Sequence, residues 1–427
     1  MSLRLLLRLP LAAAVFAAAS CGSGGTTPIT IGVLSDCEGI FGWAGDPSYA
    51  GAELPLIHRG ARLQGSKPGA GLSEVEVAGR KVRLVLGCGD DSAEKALAEA
   101  RRLVEDVGVD ILIGPLQIAE SFAVHDYARK RPETTFLDGT AAGQALTLHD
   151  PLPNLFRFSS DGAQFVAGLG TYAYKQLGWR KAITVAVDEG FEYTLVAGFV
   201  AEFCALGGTI VNRLWSPKGD VSHYAADGRA DGFFVDEPTG FATRFSKLHG
   251  NLARQLVGGV TWAFIGKKLR KRAAGVVIGS PAPFGSPTPR AWDEYVATFR
   301  KSFPRLKAYA GGIFDIAYYD AMEAALEALE HVHGDLSGGE ERFRTALAAV
   351  RLDSPIGPIH LDRNQQAVAA NFLVQLRTEG KGKPAPRTIR VVPGVDATFG
   401  GYFHTNGPLP SRTYPPCKHG NPPPWAR

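Results

Sequence analysis

The sequence lacks the short motifs that common catalytic and nucleotide-binding sites require. It contains no GxSxG nucleophile elbow, no HExxH zinc motif, no Walker phosphate loop and no GxGxxG that follows a strand. Only five of the 427 residues are cysteine, and neither these nor the ten histidines show the spacing of a zinc site. The sequence therefore predicts neither an enzyme nor a bound metal or cofactor.

A strong charge of either sign is also missing. The formal net charge is +4, and 21% of the residues are charged, as in an ordinary globular protein. One basic run, residues 267–272, is typical of a solvated helix face, because no aromatic residues are interleaved with it. These observations argue against a nucleic-acid partner.

Long apolar runs are absent from the sequence after the N-terminal segment. No run there approaches the 18 residues of a membrane-spanning helix. At the N-terminus, two arginines precede an apolar stretch, residues 9–19, that is itself too short to cross a bilayer. The small residues Ala-Ala-Ser then precede Cys21, which resembles the lipobox of bacterial lipoproteins. We therefore predict a signal peptide at residues 1–21 with lipidation of Cys21, and a flexible tether at residues 22–28. Secretion without an anchor is the alternative.

Downstream of the tether, short apolar runs alternate with longer stretches of helical periodicity. Strands are predicted at residues 82–86, 110–113 and 134–137, with helices between them. Asp91 is the predicted N-cap of the first of these helices. This βαβαβα order predicts a parallel, doubly wound sheet.

A second series of the same kind begins after residue 158. Its predicted elements are a helix at 162–178, a strand at 182–187, a helix at 192–206 and a strand at 209–214. The predicted fold class is therefore α/β, with two doubly wound parallel-sheet lobes. Residues 290–427 contain too few elements for a third lobe and must complete the first two. Within them, the Pro-rich residues 408–427 are predicted to be extended or disordered.

Export would allow the four cysteines beyond the tether to oxidise. Cys37 follows the first predicted strand and Cys88 follows the second. In a doubly wound lobe these strands are neighbours, about 4.8 Å apart. We therefore predict a Cys37–Cys88 disulfide, with two free thiols as the alternative. Cys204 and Cys417 could also pair, although a buried helix position explains Cys204 equally well.

Aromatic and polar side chains follow several of the predicted strands. In open parallel sheets, ligands bind beyond the carboxyl ends of the strands, and aromatic walls with a few polar groups suit a small molecule. We therefore predict a ligand site between the lobes, although capping or loop packing could explain each residue alone. The predicted site residues are Phe41, Trp43, Gln117, Ile118, Thr140, Glu189, Tyr193, Asp236, Glu237 and Phe284.

Four segments, in order, resemble one protein family. "ITIGVLSDCEGIFGWAGDPSYAGAEL" is similar to its first strand, loop and helix, and "VRLVLGCGDDSAEKALAEARRLVEDVGVDILIGPL" is similar to its second unit. "YAGGIFDIAYYDAMEAALEALE" and "SPIGPIHLDRNQQAVAANFLVQL" resemble a helix and a hairpin of its C-terminal part. The family comprises the extracytoplasmic solute-binding proteins of branched-chain amino-acid-type ABC importers, which have the type I periplasmic-binding-protein fold. The resemblance covers residues 29 to about 377.

The resemblance implies that both lobes are discontinuous in sequence. Three segments would cross between the lobes, near residues 154–160, 284–290 and 353–357. Lobe one would then comprise residues 29–157 and 285–353, and lobe two residues 158–284 and 354–407. The resemblance also implies that hinge closure holds the ligand, which requires contacts from both lobes.

The ligand is less well defined by the resemblance. Family members that bind amino acids tend to have small hydroxyl residues where this chain has Gln117 and Ile118. An amino acid, an aromatic or other apolar organic acid and an amide therefore all remain candidate ligands. Tyr193 matches the tyrosine of a family motif at the start of a lobe-two helix, which makes it the best single candidate to close over the ligand.

The predicted function is that of a monomeric, extracytoplasmic, lipid-anchored receptor that delivers a small solute to the membrane permease of an ABC importer. One alternative is a ligand-sensing lipoprotein without a transport role. Another is an exported two-lobe enzyme such as a glycosyltransferase. That class would need a nucleotide-phosphate loop or a metal-binding acidic motif, and the sequence has neither.

Overall fold

The computed structural model describes residues 27–216, 229–236, 252–264, 272–379, 383–384 and 386–427. Several predicted features lie outside the described residues, namely the signal peptide with Cys21, most of the tether, Glu237 and residues 267–271 of the basic run. Within the described part of the chain, no helix is both long and apolar enough to cross a bilayer.

The first lobe is built on a six-stranded sheet. Its strands are β1 (Ile29–Asp36), β2 (Val75–Val77), β3 (Arg80–Gly89), β4 (Ile111–Ile113), β5 (Thr135–Leu137) and β6 (Leu155–Phe156). Their order is β2–β3–β1–β4–β5–β6, and every pair except β2–β3 is parallel. The chain thus winds outward from β1 in both directions, which confirms the predicted doubly wound sheet.

The second lobe is built on a larger, mixed sheet. Its strands are β7 (Lys181–Val187), β8 (Thr209–Ser216), β9 (Gly232–Asp236), β10 (Leu256–Gly258), β11 (Val277–Ser280), β12 (Arg351–Ser354), β13 (Gly357–Leu361), β14 (Ala367–Gln375) and β17 (Arg387–Val395). A separate pair is formed by β15 (Thr378–Glu379) and β16 (Lys383–Pro384). Strands β7 to β11 are parallel in the order β11–β10–β9–β7–β8. Strand β14 pairs antiparallel with β11, and β13, β12 and β17 extend the sheet from β14, each antiparallel to its neighbour.

Helices cover both sheets. They are α1 (Gly45–His58), α2 (Ala93–Arg101), α3 (Ile118–Ala128), α4 (Leu169–Thr171), α5 (Gly190–Ala205), α6 (Arg290–Ser302), α7 (Ile313–His331) and α8 (Glu341–Ala349). Helix α7 packs closely on α1, where a Cβ on Gly51 would come within 2.1 Å of the Asp315 carbonyl oxygen. At the end of α1, Arg59 binds Glu323 of α7 with an N–O distance of 2.8 Å. Helix α7 therefore packs on the first lobe although it follows most of the second sheet in the chain.

The helix predicted over residues 162–178 is wrong. The segment instead contains a 3-10 turn at Gln164–Val166, the short α4 and a π-helical stretch at Tyr172–Gln176. Gly168 interrupts the segment with φ of 93°, a left-handed conformation that glycine adopts at little cost. Its N–H donates to the buried Glu202 carboxylate at 2.7 Å, so a tertiary hydrogen bond replaces the helical one.

A buried arginine lies where the chain passes from the first sheet to the second. Arg157 directly follows β6 and is fully buried. Its guanidinium donates to Gln366 Oε1 at 2.5 Å, to the carbonyl oxygen of Gly143 at 2.7 Å and to Thr147 Oγ1 at 2.8 Å. Because Gln366 directly precedes β14, Arg157 links the end of the first sheet to a strand of the second.

The Pro-rich C-terminal segment is irregular but not disordered. Cys417 forms a disulfide with Cys204 of α5, and their Cα atoms are 5.3 Å apart. Trp215 Nε1 donates to the Arg412 carbonyl oxygen at 3.1 Å, and Lys175 Nζ donates to the Ala426 carbonyl oxygen at 2.7 Å. Both explanations considered for Cys204 thus apply together, since it is a buried helix residue and it is paired.

Candidate functional site

The loop after β1 is covalently fixed to the end of β3. Ser35 of β1 lies beside Cys88 in the parallel register, so the next exposed position, Cys37, can reach Cys88. The two cysteines form a disulfide with a Cα–Cα distance of 5.3 Å, as the strand order predicts. Glu38 lies beside this pair, but the disulfide leaves neither sulfur free to bind a metal.

Asp91 fixes the same loop from the other side. The predicted N-cap role of Asp91 is wrong, because the Ser92 hydroxyl accepts from the Lys95 N–H at 3.2 Å and caps α2. The Asp91 carboxylate instead accepts from the backbone N–H of Phe41 at 3.0 Å and from that of Ile40. Asp91, which follows β3, thus holds the backbone of the loop that carries Phe41.

An aromatic cluster extends from this loop across to the second lobe. It consists of Phe41, Trp43, Phe264, Tyr309 and Phe314. The Trp43 ring centroid lies 5.3 Å from that of Phe314, 6.2 Å from that of Tyr309 and 5.8 Å from that of Phe264. Phe264 follows β10 in the second lobe, whereas Trp43 follows β1 in the first. The cluster therefore joins the two lobes, and the side chain of Trp43 stays 42% exposed at its edge.

A cleft lies between the lobes, next to the segments that connect them. Its apolar wall includes Phe158, Phe165, Ile313, Ile316, Ile356 and Ala369. Its polar residues are Thr140, Ser159, Ser160 and Asp320. The wall thus combines residues of the first lobe, of the second lobe and of the connections. A mostly apolar wall with a few polar groups is typical of the lining of a small-molecule site.

Two hydroxyl groups of the cleft donate their protons to the protein backbone, and one carboxyl oxygen has no partner in the part of the chain that the structure describes. Thr140 Oγ1 donates to the Leu116 carbonyl oxygen at 3.1 Å, and Ser159 Oγ donates to the Gly139 carbonyl oxygen at 2.8 Å. Asp320 is 2% exposed, and its Oδ1 has no hydrogen-bond partner among the described residues. Burial raises the pKa of Asp320 well above its ordinary value, although a hydrogen bond from Ser354 lowers it.

Thr140 is the only predicted site residue, among those that the structure describes, in the wall of this cleft. Gln117 is the N-cap of α3 and forms a capping box with Glu120, and Ile118 begins the helix. Burial raises the pKa of Glu120 to about 9, and it also raises the pKa of the adjacent Asp36. Glu120 therefore retains its proton at neutral pH beside Asp36.

Tyr193 lies at the rim of the second sheet, beside the C-terminal segment. Its hydroxyl donates to Asp188 Oδ1 at 2.5 Å, and its ring packs edge-on against Trp215 with centroids 4.9 Å apart. Arg412 of the C-terminal segment binds both oxygens of Asp188. The structure thus surrounds Tyr193 with protein groups that the sequence pattern did not associate with it.

The other predicted residues of the second lobe are dispersed. Glu189 is exposed at the start of α5, and Phe284 is half-buried beyond β11. Asp236 is buried at the end of β9, where it accepts from Thr261 Oγ1 at 2.5 Å. These three side chains do not meet in the cleft wall that the structure describes.

Most residues of the cleft wall were not among the predicted site residues, because those residues were chosen from the ends of strands. Ser159 and Ser160 belong to the first predicted connection between the lobes, residues 154–160, and Ile356 belongs to the third, residues 353–357. Asp320 lies on α7, in the segment that resembles a family helix. The available signal was the run "FRFSSD", because two aromatic residues and two serines lie close together there at a predicted connection.

Comparison with known proteins agrees with this two-lobed architecture. An ABC transporter substrate-binding protein from Sphaerobacter thermophilus superimposes with a TM-score of 0.74 at 27% identity, over 87% of this chain and 99% of that one. A solute-binding protein from R. palustris in complex with benzoate superimposes with a TM-score of 0.67 at 21% identity, over 86% of this chain and 96% of that one. A leucine-binding protein from Thermotoga maritima superimposes with a TM-score of 0.67 at 17% identity, over 86% of this chain and 99% of that one.

At the level of sequence, no curated protein matches the chain. A family model described as periplasmic binding protein, however, matches residues 28–382, which is most of the sequence. These residues include the whole first sheet, every strand of the second sheet except β17, and the wall of the cleft. The chain therefore belongs to the periplasmic binding protein family. Its structural neighbours include a substrate-binding protein of an ABC transporter.

Proposed function

We propose that the chain is a lipid-anchored extracytoplasmic receptor that binds a small organic solute between its lobes by closure and delivers it to an ABC importer. The observation that carries this proposal is the cleft, whose mostly apolar wall is drawn from both lobes in a chain of this family. A ligand that contacts both lobes favours the closed state over the open one. The proposed receptor acts as a monomer and carries out no catalysis itself.

The anchor is proposed from the sequence before residue 27. The apolar stretch and the small residues before Cys21 support cleavage at this point and lipidation of its thiol. Mass spectrometry of the mature N-terminus tests this part of the proposal. A first residue Cys21 with added diacylglycerol is expected, and an unmodified Cys21 would contradict it.

The range of ligands to test follows from the relatives. Solved neighbours include proteins described as complexes with benzoate, 4-hydroxybenzoate and isoleucine. The apolar wall of this cleft is compatible with an aromatic or branched aliphatic body of similar size. An uncharged amide or an amine of the same shape belongs in the test as well, because Asp320 and three hydroxyl groups make up the polar part of the wall.

Thermal unfolding of the full-length protein with a panel of such ligands tests the proposed function. The panel contains benzoate, 4-hydroxybenzoate, leucine, isoleucine, benzamide and benzylamine, each over a concentration series. A ligand present at 100 times its dissociation constant stabilises the folded state by about 2.7 kcal/mol. At least one member is therefore expected to raise the melting temperature in a saturable way. If no member of the panel does so, the proposal loses its support.

Trp43→Ala is expected to weaken binding of the ligand identified in this way by about 2- to 10-fold. The substitution removes ring contacts to Phe264 that are available when the lobes are together, and aromatic pairs contribute about 0.5–1.5 kcal/mol beyond their buried area. Isothermal titration of Trp43→Ala, Phe264→Ala and the double variant measures this coupling. Phe122→Ala is the control, because it removes a comparably exposed ring from α3. Additive losses from Trp43→Ala and Phe264→Ala would show that the contact between these two rings does not strengthen ligand binding.

A further inference from the structure

We infer that the cleft selects a ligand with an N–H donor head group, namely a protonated amine on a small apolar body, over the corresponding carboxylate. This inference rests on the proposed function and specifies its ligand. It differs from the carboxylate that the benzoate-bound neighbour holds.

The first support is the direction of the hydrogen bonds in the cleft wall. The Thr140 and Ser159 hydroxyls both donate their protons to backbone carbonyl oxygens, of Leu116 and Gly139 respectively. A hydroxyl has one proton and two lone pairs, so these groups retain acceptor capacity only. A ligand that meets them must itself supply N–H or O–H donors, and a carboxylate has none.

The second support is the unpartnered carboxyl oxygen of Asp320. This side chain lines the cleft and is 2% exposed, and its Oδ1 has no hydrogen-bond partner among the described residues. A buried polar atom without a partner is costly, and a buried carboxylate is more costly still. A cationic donor would supply the missing hydrogen bond and a counter-charge that stabilises the ionised form of Asp320. A bound carboxylate supplies neither, since it has no donor and no positive charge.

The third support is where the nearest arginine directs its donors. The described wall of the cleft contains no lysine, arginine or histidine. Arg157 directly precedes wall residue Phe158, but its guanidinium already donates to Gln366, Thr147 and the carbonyl oxygens of Ala141 and Gly143. It also lies 3.9 Å from Asp138, which it partly neutralises. The donors of Arg157 thus bind protein groups, and Arg157 offers no free donor to an anionic ligand in the cleft.

The remainder of the wall defines the body of the ligand. Phe158 and Phe165 offer aromatic surface, and Ile313, Ile316 and Ile356 offer branched aliphatic surface. Such a wall favours burial of a phenyl or branched alkyl group. Benzylamine and benzoate therefore form a matched pair of probes, since they share the ring and differ in the head group.

Titration calorimetry of the full-length wild-type protein with benzylamine and with benzoate tests the inference directly. Benzylamine is expected to bind at least 10-fold more tightly than benzoate. Equal or tighter binding of benzoate would overturn the inference, and so would the absence of benzylamine binding. In both cases the proposed function stands if any ligand of the panel binds, so the two failures are distinguishable.

Asp320→Asn provides the second test. The substitution keeps the shape of the side chain and removes its ability to ionise beside a cation, so benzylamine affinity is expected to fall at least 10-fold, with a smaller change for benzamide. Asp315→Asn is the matched control, because Asp315 is equally buried on the same helix but binds Tyr295 and the Gly311 N–H outside the cleft wall. An unchanged benzylamine affinity in a folded Asp320→Asn variant would overturn the inference. If that variant does not fold, the wild-type comparison decides alone.

Discussion

Removal of the Cys204–Cys417 disulfide, by Cys204→Ala with Cys417→Ser, is expected to lower the free energy of unfolding by about 5 kcal/mol. The bond joins positions 213 residues apart, so its loss releases a long loop in the unfolded chain. Alanine suits position 204, which is fully buried, and serine suits position 417, which is partly exposed. Urea unfolding of the oxidised wild type and the double variant measures the difference through the transition midpoint.

The Cys37–Cys88 pair is the matched control for this result. Its sequence separation is 51, and its removal is expected to cost about 4 kcal/mol by the same loop argument. The longer loop should therefore show the larger loss. A loss below about 1 kcal/mol for the Cys204–Cys417 variant would mean that noncovalent contacts alone keep the C-terminal segment in place. A reversed order of the two losses would show that loop entropy does not dominate.

Arg157→Met is expected to destabilise the protein by about 3–5 kcal/mol, the usual cost of removing one partner of a buried ion pair. The substitution leaves Gln366 and two backbone carbonyl groups without the donors that Arg157 supplies. It also leaves Asp138, whose pKa burial raises to about 6, without the nearby positive charge that lowers this pKa. Urea unfolding at neutral pH measures the loss. Arg129→Met is the control, because that arginine forms an exposed pair with Asp150 and such pairs contribute little.

A double variant separates charge from packing at this position. Adding Asp138→Asn to Arg157→Met removes the uncompensated carboxyl group, so part of the lost stability is expected to return. If the double variant is no more stable than Arg157→Met alone, the loss comes from the broken hydrogen bonds to Gln366 and the carbonyl groups. An Arg157→Met variant as stable as the wild type would contradict the role assigned to this arginine.

The succession of strands and helices along the chain could be predicted from the sequence, because it depends on local periodicity. Strand β3 includes all of the predicted residues 82–86, and its position beside β1 led directly to the Cys37–Cys88 disulfide. The break at Gly168 was not accessible, because apolar periodicity continues through residues 162–178 while the donor of Gly168 is taken by Glu202, 34 positions away. Only the tertiary structure brings that carboxylate to the backbone.

The candidate site was predicted less well, for a related reason. The rule that ligands lie beyond strand ends identified Thr140 and the loop that carries Trp43, but it could not identify Phe264 as the partner of Trp43 across the lobes. Asp320 was also inaccessible, since its unpartnered oxygen becomes evident only when α7 is placed against the connections. Contacts between lobes depend on rigid-body placement, and a single sequence does not encode that placement in a local pattern.

The buried carboxyl groups of the first lobe have a consequence for the proton balance of folding. Burial raises the pKa of Glu53 to about 9, as it does for Glu120, against about 4.3 in an unfolded chain. Between these values the folded chain binds more protons than the unfolded chain, so folding takes up protons. The associated stability is fully present below the unfolded pKa and is lost as the pH rises through about 9. Folding at neutral pH is thus coupled to the acidity of the surroundings.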